Sequence, residues 1–130
     1  MTEVDAEALG RRWLTASGGW HAGMEVVHAS GYRHRLLSST HTYKGWWPDL
    51  RDAATRGAAL EVVRQRWGNP LVWVEWEAST AMWGEGTYQL SWACVNGEPI
   101  PPDITGDSEA AVLVAALEAA PQTPVQPEAP

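Results

Sequence analysis

One segment constrains the fold of this chain more than any other. Residues 53 to 67, AATRGAALEVVRQRW, read as a helix with both ends marked. Asp52 offers an N-cap carboxylate, and Gly68-Asn69-Pro70 offers a stop with glycine in the usual C-terminal position. Spacing puts Gly57, Leu60, Val63 and Trp67 along one face. Whatever fold forms must place this helix between two flanks that are patterned differently from it.

Upstream, residues 4 to 16 read as a short helix with Leu9, Trp13 and Ala16 on one side, ended by Ser17-Gly18-Gly19. MEVVHASGYRHRLLSS reads as two strands around a tight turn at Ser30-Gly31, and Thr40 to Leu50 as a loop that contains the adjacent Trp46 and Trp47. Downstream, LVWVEWEAST has the β-branched and aromatic content of a strand, Met82 to Gly86 turns the chain, and TYQLSWACV pairs back. Asn96-Gly97 leads out of this hairpin and PIPPDITG is irregular. A last helix from Ser108 to Ala120, capped by Asp107 or Ser108, gathers Val112, Leu113, Ala116 and Leu117 on one face. The order αββαββα predicts an α+β fold: an antiparallel four-stranded sheet made of two hairpins, with helices on one side. A single domain over residues 1–120 is expected, followed by a disordered Pro-rich tail over 121–130.

Length and composition narrow the class. A chain of 130 residues suits one core, and the single cysteine, Cys94, excludes an internal disulfide and a cysteine-rich zinc site. No apolar run approaches the roughly 20 residues of a membrane helix, and the first ten residues, MTEVDAEALG, are too acidic and polar for a signal peptide. A cytoplasmic protein without membrane contact is expected. Nine tryptophans and no phenylalanine are more indole than a core of this size takes easily, because each buried N–H needs an acceptor. Some are expected at an interface or pocket, although most replace phenylalanine in the core.

Charge is divided along the chain. Residues 11–70 hold all nine lysines and arginines against four acids, whereas residues 71–130 hold nine acids and no lysine or arginine. Such a division can give a basic and an acidic face, or pair subunits through opposite charge; the alternative is that the halves interleave and neutralise each other. With the excess of tryptophan, it points to a homo-oligomer, with a two-fold dimer as the commonest closed form.

The run PDLRDAATRGAALEVVRQRWGNP resembles a segment of a family of small proteins from tailed bacteriophages and prophages, with the pattern PDL-D-AT-G--L-LVR-AWG-P. GWHAGM at 19–24 and EAAVLVAALEAAP at 109–121 are similar to stretches of the same family, so the resemblance touches most of the chain outside residues 71–104. It implies a phage origin, and with it the host cell cytoplasm as the location, and a shared fold. It implies no activity and carries over no functional residue.

Few residues are spaced for catalysis. With Ser30-Gly31 as a two-residue turn, His28 and His34 fall on opposite faces of the hairpin, which keeps them from sharing a metal. No Gly-x-Ser-x-Gly elbow or phosphate loop occurs, and Cys94 sits mid-strand among apolar neighbours. Glu75 and Glu77 share a strand face, an arrangement more often solvated than catalytic. No catalytic residue, metal ligand or cofactor is therefore assigned.

Binding has more support. Arg33 and Arg35 alternate on one strand face, Tyr43, Lys44, Trp46 and Trp47 follow in the next loop, and Arg51 and Arg56 flank the start of the central helix. Indole rings beside guanidinium groups suit a base and its phosphates. The expectation is a non-catalytic phage accessory protein that sequesters a small anionic, nucleotide-like ligand, such as a signal of host antiviral defence. Long nucleic acid is disfavoured because the acidic half would repel it. The alternative is an interaction module that inhibits a host protein, or a minor structural protein of the virion, since exposed Trp and Arg also form protein–protein hot spots.

Overall fold

The computed structural model describes residues 2–38, 44–77, 86–93 and 101–121. Its elements run α1 (Glu3–Thr15), β1 (Glu25–His28), β2 (Arg33–Arg35), β3 (Trp46–Pro48), α2 (Ala53–Trp67), β4 (Val72–Glu77), β5 (Thr87–Trp92), β6 (Thr105–Gly106) and α3 (Glu109–Ala119). The class is α+β. The strands form two three-stranded antiparallel sheets, ordered β2-β1-β3 and β4-β5-β6, and not the single four-stranded sheet expected from the hairpins. The chain divides into two compact units, Met1–Ala59 and Leu60–Pro130.

Each hairpin gains one strand that the sequence pattern concealed. In the first unit, the strand is Trp46-Trp47-Pro48 itself, expected to be loop. β1 donates and accepts toward β3 through its odd-numbered residues, because Asp49 N–H bonds the Glu25 carbonyl (2.8 Å) in a register that pairs Val27 with Trp47. Pro48 therefore sits where its nitrogen points off the sheet edge, and its missing N–H interrupts nothing. In the second unit, β6 adds only Thr105 and Gly106, with the Leu90 N–H bonding the Ile104 carbonyl (2.9 Å) beyond it.

The first turn also differs from expectation. Val27 pairs with Arg33 and Val26 with His34, and the His28 N–H bonds the Tyr32 carbonyl (2.8 Å). Three residues, Ala29, Ser30 and Gly31, make the turn, closed by a bond from the Gly31 N–H to the His28 carbonyl (2.8 Å), with Gly31 at φ +95°. A one-residue change of register exchanges faces. His28 and His34 consequently share a face instead of opposing one another.

The helices follow their signals closely. Thr2 and Asp5 form a reciprocal capping box at the start of α1. Its end is a Schellman motif with Ser17 in the left-handed region (φ 65°), the Ser17 N–H on the Leu14 carbonyl and the Gly18 N–H on the Trp13 carbonyl. Gly68 (φ 65°) plays the same part at the end of α2, with bonds to Gln65 and Arg64. Ser108 caps α3 by accepting from the Ala111 N–H (3.1 Å). The buried face of α2 is Thr55, Ala59, Val62, Val63 and Trp67; Gly57, expected on that face, is exposed.

Each unit builds a core of its own. In the first, Ala6 of α1 packs on Val27 and Trp47. Gly10 permits this approach, because a Cβ there would lie 2.5 Å from the Pro48 carbonyl oxygen. In the second, Val72, Leu90 and Ile104 are buried with Val112, Leu113, Val114, Ala116 and Leu117 of α3. Trp67 donates its indole N–H to the Ala116 carbonyl at 2.9 Å. Among the described residues, no helix is long and apolar enough to cross a membrane. His41, Tyr43, Cys94, most of the Met82–Gly86 turn, Asn96-Gly97 and the tail after residue 121 lie outside the described residues.

Candidate functional site

Register in the first sheet decides which charged side chains meet. Pairing places Glu25 and Val27 of β1, Arg33 and Arg35 of β2 and Trp47 of β3 on one face, and Asp49 continues β3 on that side. Asp49 is only 1% exposed, so its charge needs strong partners. Arg51 grips it with a fork, Nε to Oδ1 at 2.9 Å and Nη2 to Oδ2 at 3.1 Å, and its backbone N–H adds a bond to Oδ1 at 3.0 Å. Arg33 joins from the opposite edge of the sheet, with Nη2 on Asp49 Oδ2 and Nε on Glu25 Oε1 at 2.8 Å.

Arg35 extends the network to the helix. Its Nη1 and Nη2 donate to the two oxygens of Asp52 (2.8 and 3.2 Å), and further bonds reach Glu25 and the Gly23 carbonyl. Asp52 is also the cap of α2, accepting from the Thr55 N–H (3.0 Å) and hydroxyl (2.9 Å). The Thr55 hydroxyl in turn accepts the Glu25 N–H at 2.8 Å, which ties the helix start to β1.

These contacts shift the acids as electrostatics requires. The Arg35 bonds, helped by Thr55, bring Asp52 down to about 2. Burial alone would push Asp49 up, but the hydrogen bonds from Arg51 and Arg33 outweigh it and hold the carboxyl below its usual range. Arg33, Arg35 and Arg51 are all pushed up, chiefly by the carboxylates to which they donate. Three guanidinium groups here meet three carboxylates, and Glu3 stands 3.7 Å from Arg51 at the periphery.

The residues expected to bind an anion are therefore distributed unevenly. Arg33, Arg35 and Arg51 are brought together, each already holding carboxylates. Arg56 turns to the backbone carbonyls of Leu50 (3.2 Å) and Arg51 (2.5 Å). Lys44 is exposed, and Tyr43 lies outside the described residues. Trp46 and Trp47 occupy opposite faces of β3, as neighbours on a strand must. Trp46 is half-buried against His28, with ring centroids 5.0 Å apart, and Trp47 is sealed in the core at 2% exposure with its indole N–H unpartnered.

A second candidate, which sequence reasoning missed, lies in the other unit. β4 and β5 exchange bonds through odd-numbered residues of β4, since the Ala93 N–H bonds the Leu71 carbonyl (3.1 Å) in the register that pairs Trp73 with Ser91. The backbone groups of Val72, Val74 and Trp76 thus point to the free edge of the sheet. Arg64 takes the Val72 carbonyl at 2.7 Å. Those of Val74 and Trp76 find no hydrogen-bond partner among the described residues. Beside this edge, Leu71 (43%), Trp73 (38%) and Trp76 (54%) are exposed.

The outer face of the same sheet is polar and ordered. Glu75 accepts from Ser91 (2.7 Å), Gln89 (3.0 Å) and the Trp73 indole (3.2 Å), and these bonds hold its carboxyl below the usual range. Glu75 and Glu77 share this face, as the alternation in VWVEWE predicts. At the Val72 end of β4, Arg64 also lines an open cavity of about 480 Å³ with Glu61, Gln65, Gly68, Asn69 and Pro70. Among the described residues, no three His, Cys, Asp or Glu side chains are placed to hold a metal ion.

No family model, curated protein or solved structure matches the chain.

Proposed function

We propose that this chain is a non-catalytic protein that works by protein–protein contact, as an interaction module or a minor structural protein of a tailed phage. One observation carries the reading. A six-residue strand, β4, presents an edge with unpartnered backbone groups and two exposed tryptophans, a combination that invites another strand. The phage setting rests on the resemblance of the PDLRDAATRGAALEVVRQRWGNP segment alone.

The small-anion reading has less support from the geometry. Its three central arginines already donate to Glu25, Asp49 and Asp52, so an anion would have to displace an internal carboxylate. Native mass spectrometry of the purified chain with mono-, di- and cyclic nucleotides separates the two. Protein complexes that are weakened by Trp76→Ala, with no nucleotide adduct, are expected. A nucleotide adduct that disappears in Arg35→Ala would overturn the contact reading in favour of sequestration.

A further inference from the structure

The first sheet has a free edge as well, and its chemistry is opposite to that of β4. β1 bonds β2 through even-numbered residues, because the His28 N–H meets the Tyr32 carbonyl and the Leu36 N–H meets the Met24 carbonyl, both at 2.8 Å. The backbone groups of Arg33 and Arg35 therefore point outward, and they find no hydrogen-bond partner among the described residues. Every residue of β2 is exposed. Tyr32 (73%) and Leu37 (89%) flank it.

The exposed apolar side chains confirm where cover is needed. Of the six large exposed hydrophobic residues found in the described structure, five lie on or beside these two edges: Tyr32 and Leu37 at β2, and Leu71, Trp73 and Trp76 at β4. We infer that the two edges are the two halves of one interface: β4 of one copy of the chain pairs antiparallel with β2 of a second copy. This inference rests on the contact reading above and names the partner.

Charge selects this pairing over the other two that a pair of copies can make. β4 contributes Glu75 and Glu77 and no cation, whereas β2 reads Arg33-His34-Arg35. Joining β4 to β4 brings together two units that each carry ten acids against two arginines over residues 60–130. Joining β2 to β2 sets arginines against arginines. The mixed pairing avoids both, setting the acidic β4 against β2, whose arginines are balanced by Glu25, Asp49 and Asp52.

Backbone polarity, with the Val72 carbonyl already taken by Arg64, leaves one register that pairs both Arg33 and Arg35 within β4. Outward groups must meet outward groups, so Arg35 exchanges bonds with the partner copy at Val74, and Arg33 with the partner copy at Trp76. Arg33 then lies on the same face as the indole of Trp76, its guanidinium still on Glu25 and Asp49, while His34 stands opposite Glu75. Arg64, holding the Val72 carbonyl, marks where the added strand must stop.

The interface is heterologous: each copy offers one edge and keeps the other, so association continues until a ring closes or a filament grows. Sedimentation of the wild-type chain across a concentration series, read beside two edge variants, tests this. Tyr32→Asp with Leu37→Asp adds acid at the two ends of β2 without removing any contact described there. Val74→Pro removes an edge N–H that β5 does not use; Trp76→Lys serves in its place if the circular dichroism of Val74→Pro is not native.

Wild type is expected to form concentration-dependent oligomers that weaken with salt. Each variant alone is expected to associate at least tenfold more weakly. Their mixture is expected to give a one-to-one dimer and nothing larger, since each variant retains the edge the other lacks. A wild type that stays monomeric overturns the inference, as does a β2 variant that still associates like wild type or a mixture that does not dimerise. A monomeric wild type whose complex with another protein is lost in Trp76→Lys would refute self-association while leaving the contact reading intact.

Discussion

The two sheets of this molecule are of equal strand number and solve the problem of polar side chains in opposite ways. The first locks its charges inward: an aspartate at 1% exposure is held by two arginines, and the same network reaches the cap of the helix that follows. The second leaves its charges outward, with Glu75 satisfied by Trp73, Gln89 and Ser91 on a solvated face and no cation in its strands. Charge in the first unit is therefore part of the fold, whereas the acids of the second sheet meet no cation within its strands. Basic residues alone do not make a binding site; what matters is whether their carboxylates are already present.

The sharpest way to break this comparison is to remove one acid from each sheet. Asp49→Ala would leave Arg33 and Arg51 without their shared partner and is expected to destabilise by about 2–3 kcal/mol, below the ~3–5 kcal/mol of a wholly buried pair because both guanidinium groups reach solvent. Glu75→Ala is expected to leave the denaturation midpoint nearly unchanged. Equal losses for the two, read by urea titration, would erase the distinction.

Indole substitution gives the next largest difference. Trp67→Phe removes the donor to the buried Ala116 carbonyl, whereas Trp47→Phe removes an N–H that has no partner. Beyond the shared loss of ring volume, the first is expected to lose about 1 kcal/mol more stability than the second. The same titration measures it.

Acid sharpens the contrast further. Asp52 titrates near 2 in the folded chain, below the roughly 3.9 of an unfolded aspartate. A lowered folded value means the unfolded chain binds the proton first, so the stabilisation is fully present above the unfolded value and is lost as pH falls toward about 2. Asp49, also lowered, acts in the same direction. Denaturation midpoints between pH 5 and pH 2 are expected to fall for wild type and to fall less steeply for Asp52→Asn.

The smallest effect is optical. Trp73 and Trp76 lie open beside a free edge while Trp13 and Trp47 are sealed. Trp76→Phe is expected to remove a larger share of the acrylamide-quenchable fluorescence than Trp47→Phe. The reverse would place the accessible indoles in the first unit.

Local signals in the sequence determined the helices, and the reason is physical. Capping and stopping are decided within a few residues of backbone, so Asp52, Ser108 and Gly68 do what their residue types predict, while Ser17 rather than Gly18 takes the left-handed position that ends α1. The alternation of VWVEWE likewise placed Glu75 and Glu77 together, because strand geometry repeats every two residues. The division of charge between the halves, and the α+β class, were equally legible.

Tertiary structure alone decided the rest. Whether Trp46-Trp47-Pro48 is loop or strand depends on β1 having a free side, which no local pattern reports. One extra residue in the first turn reversed the faces of His28 and His34. Arg33 and Arg35 came with carboxylates 8 to 17 residues away, drawn in by the pairing of the first sheet. Pairing is a long-range choice, made by which edges find partners. The same choice left one edge each of β2 and β4 without a neighbouring strand among the described residues.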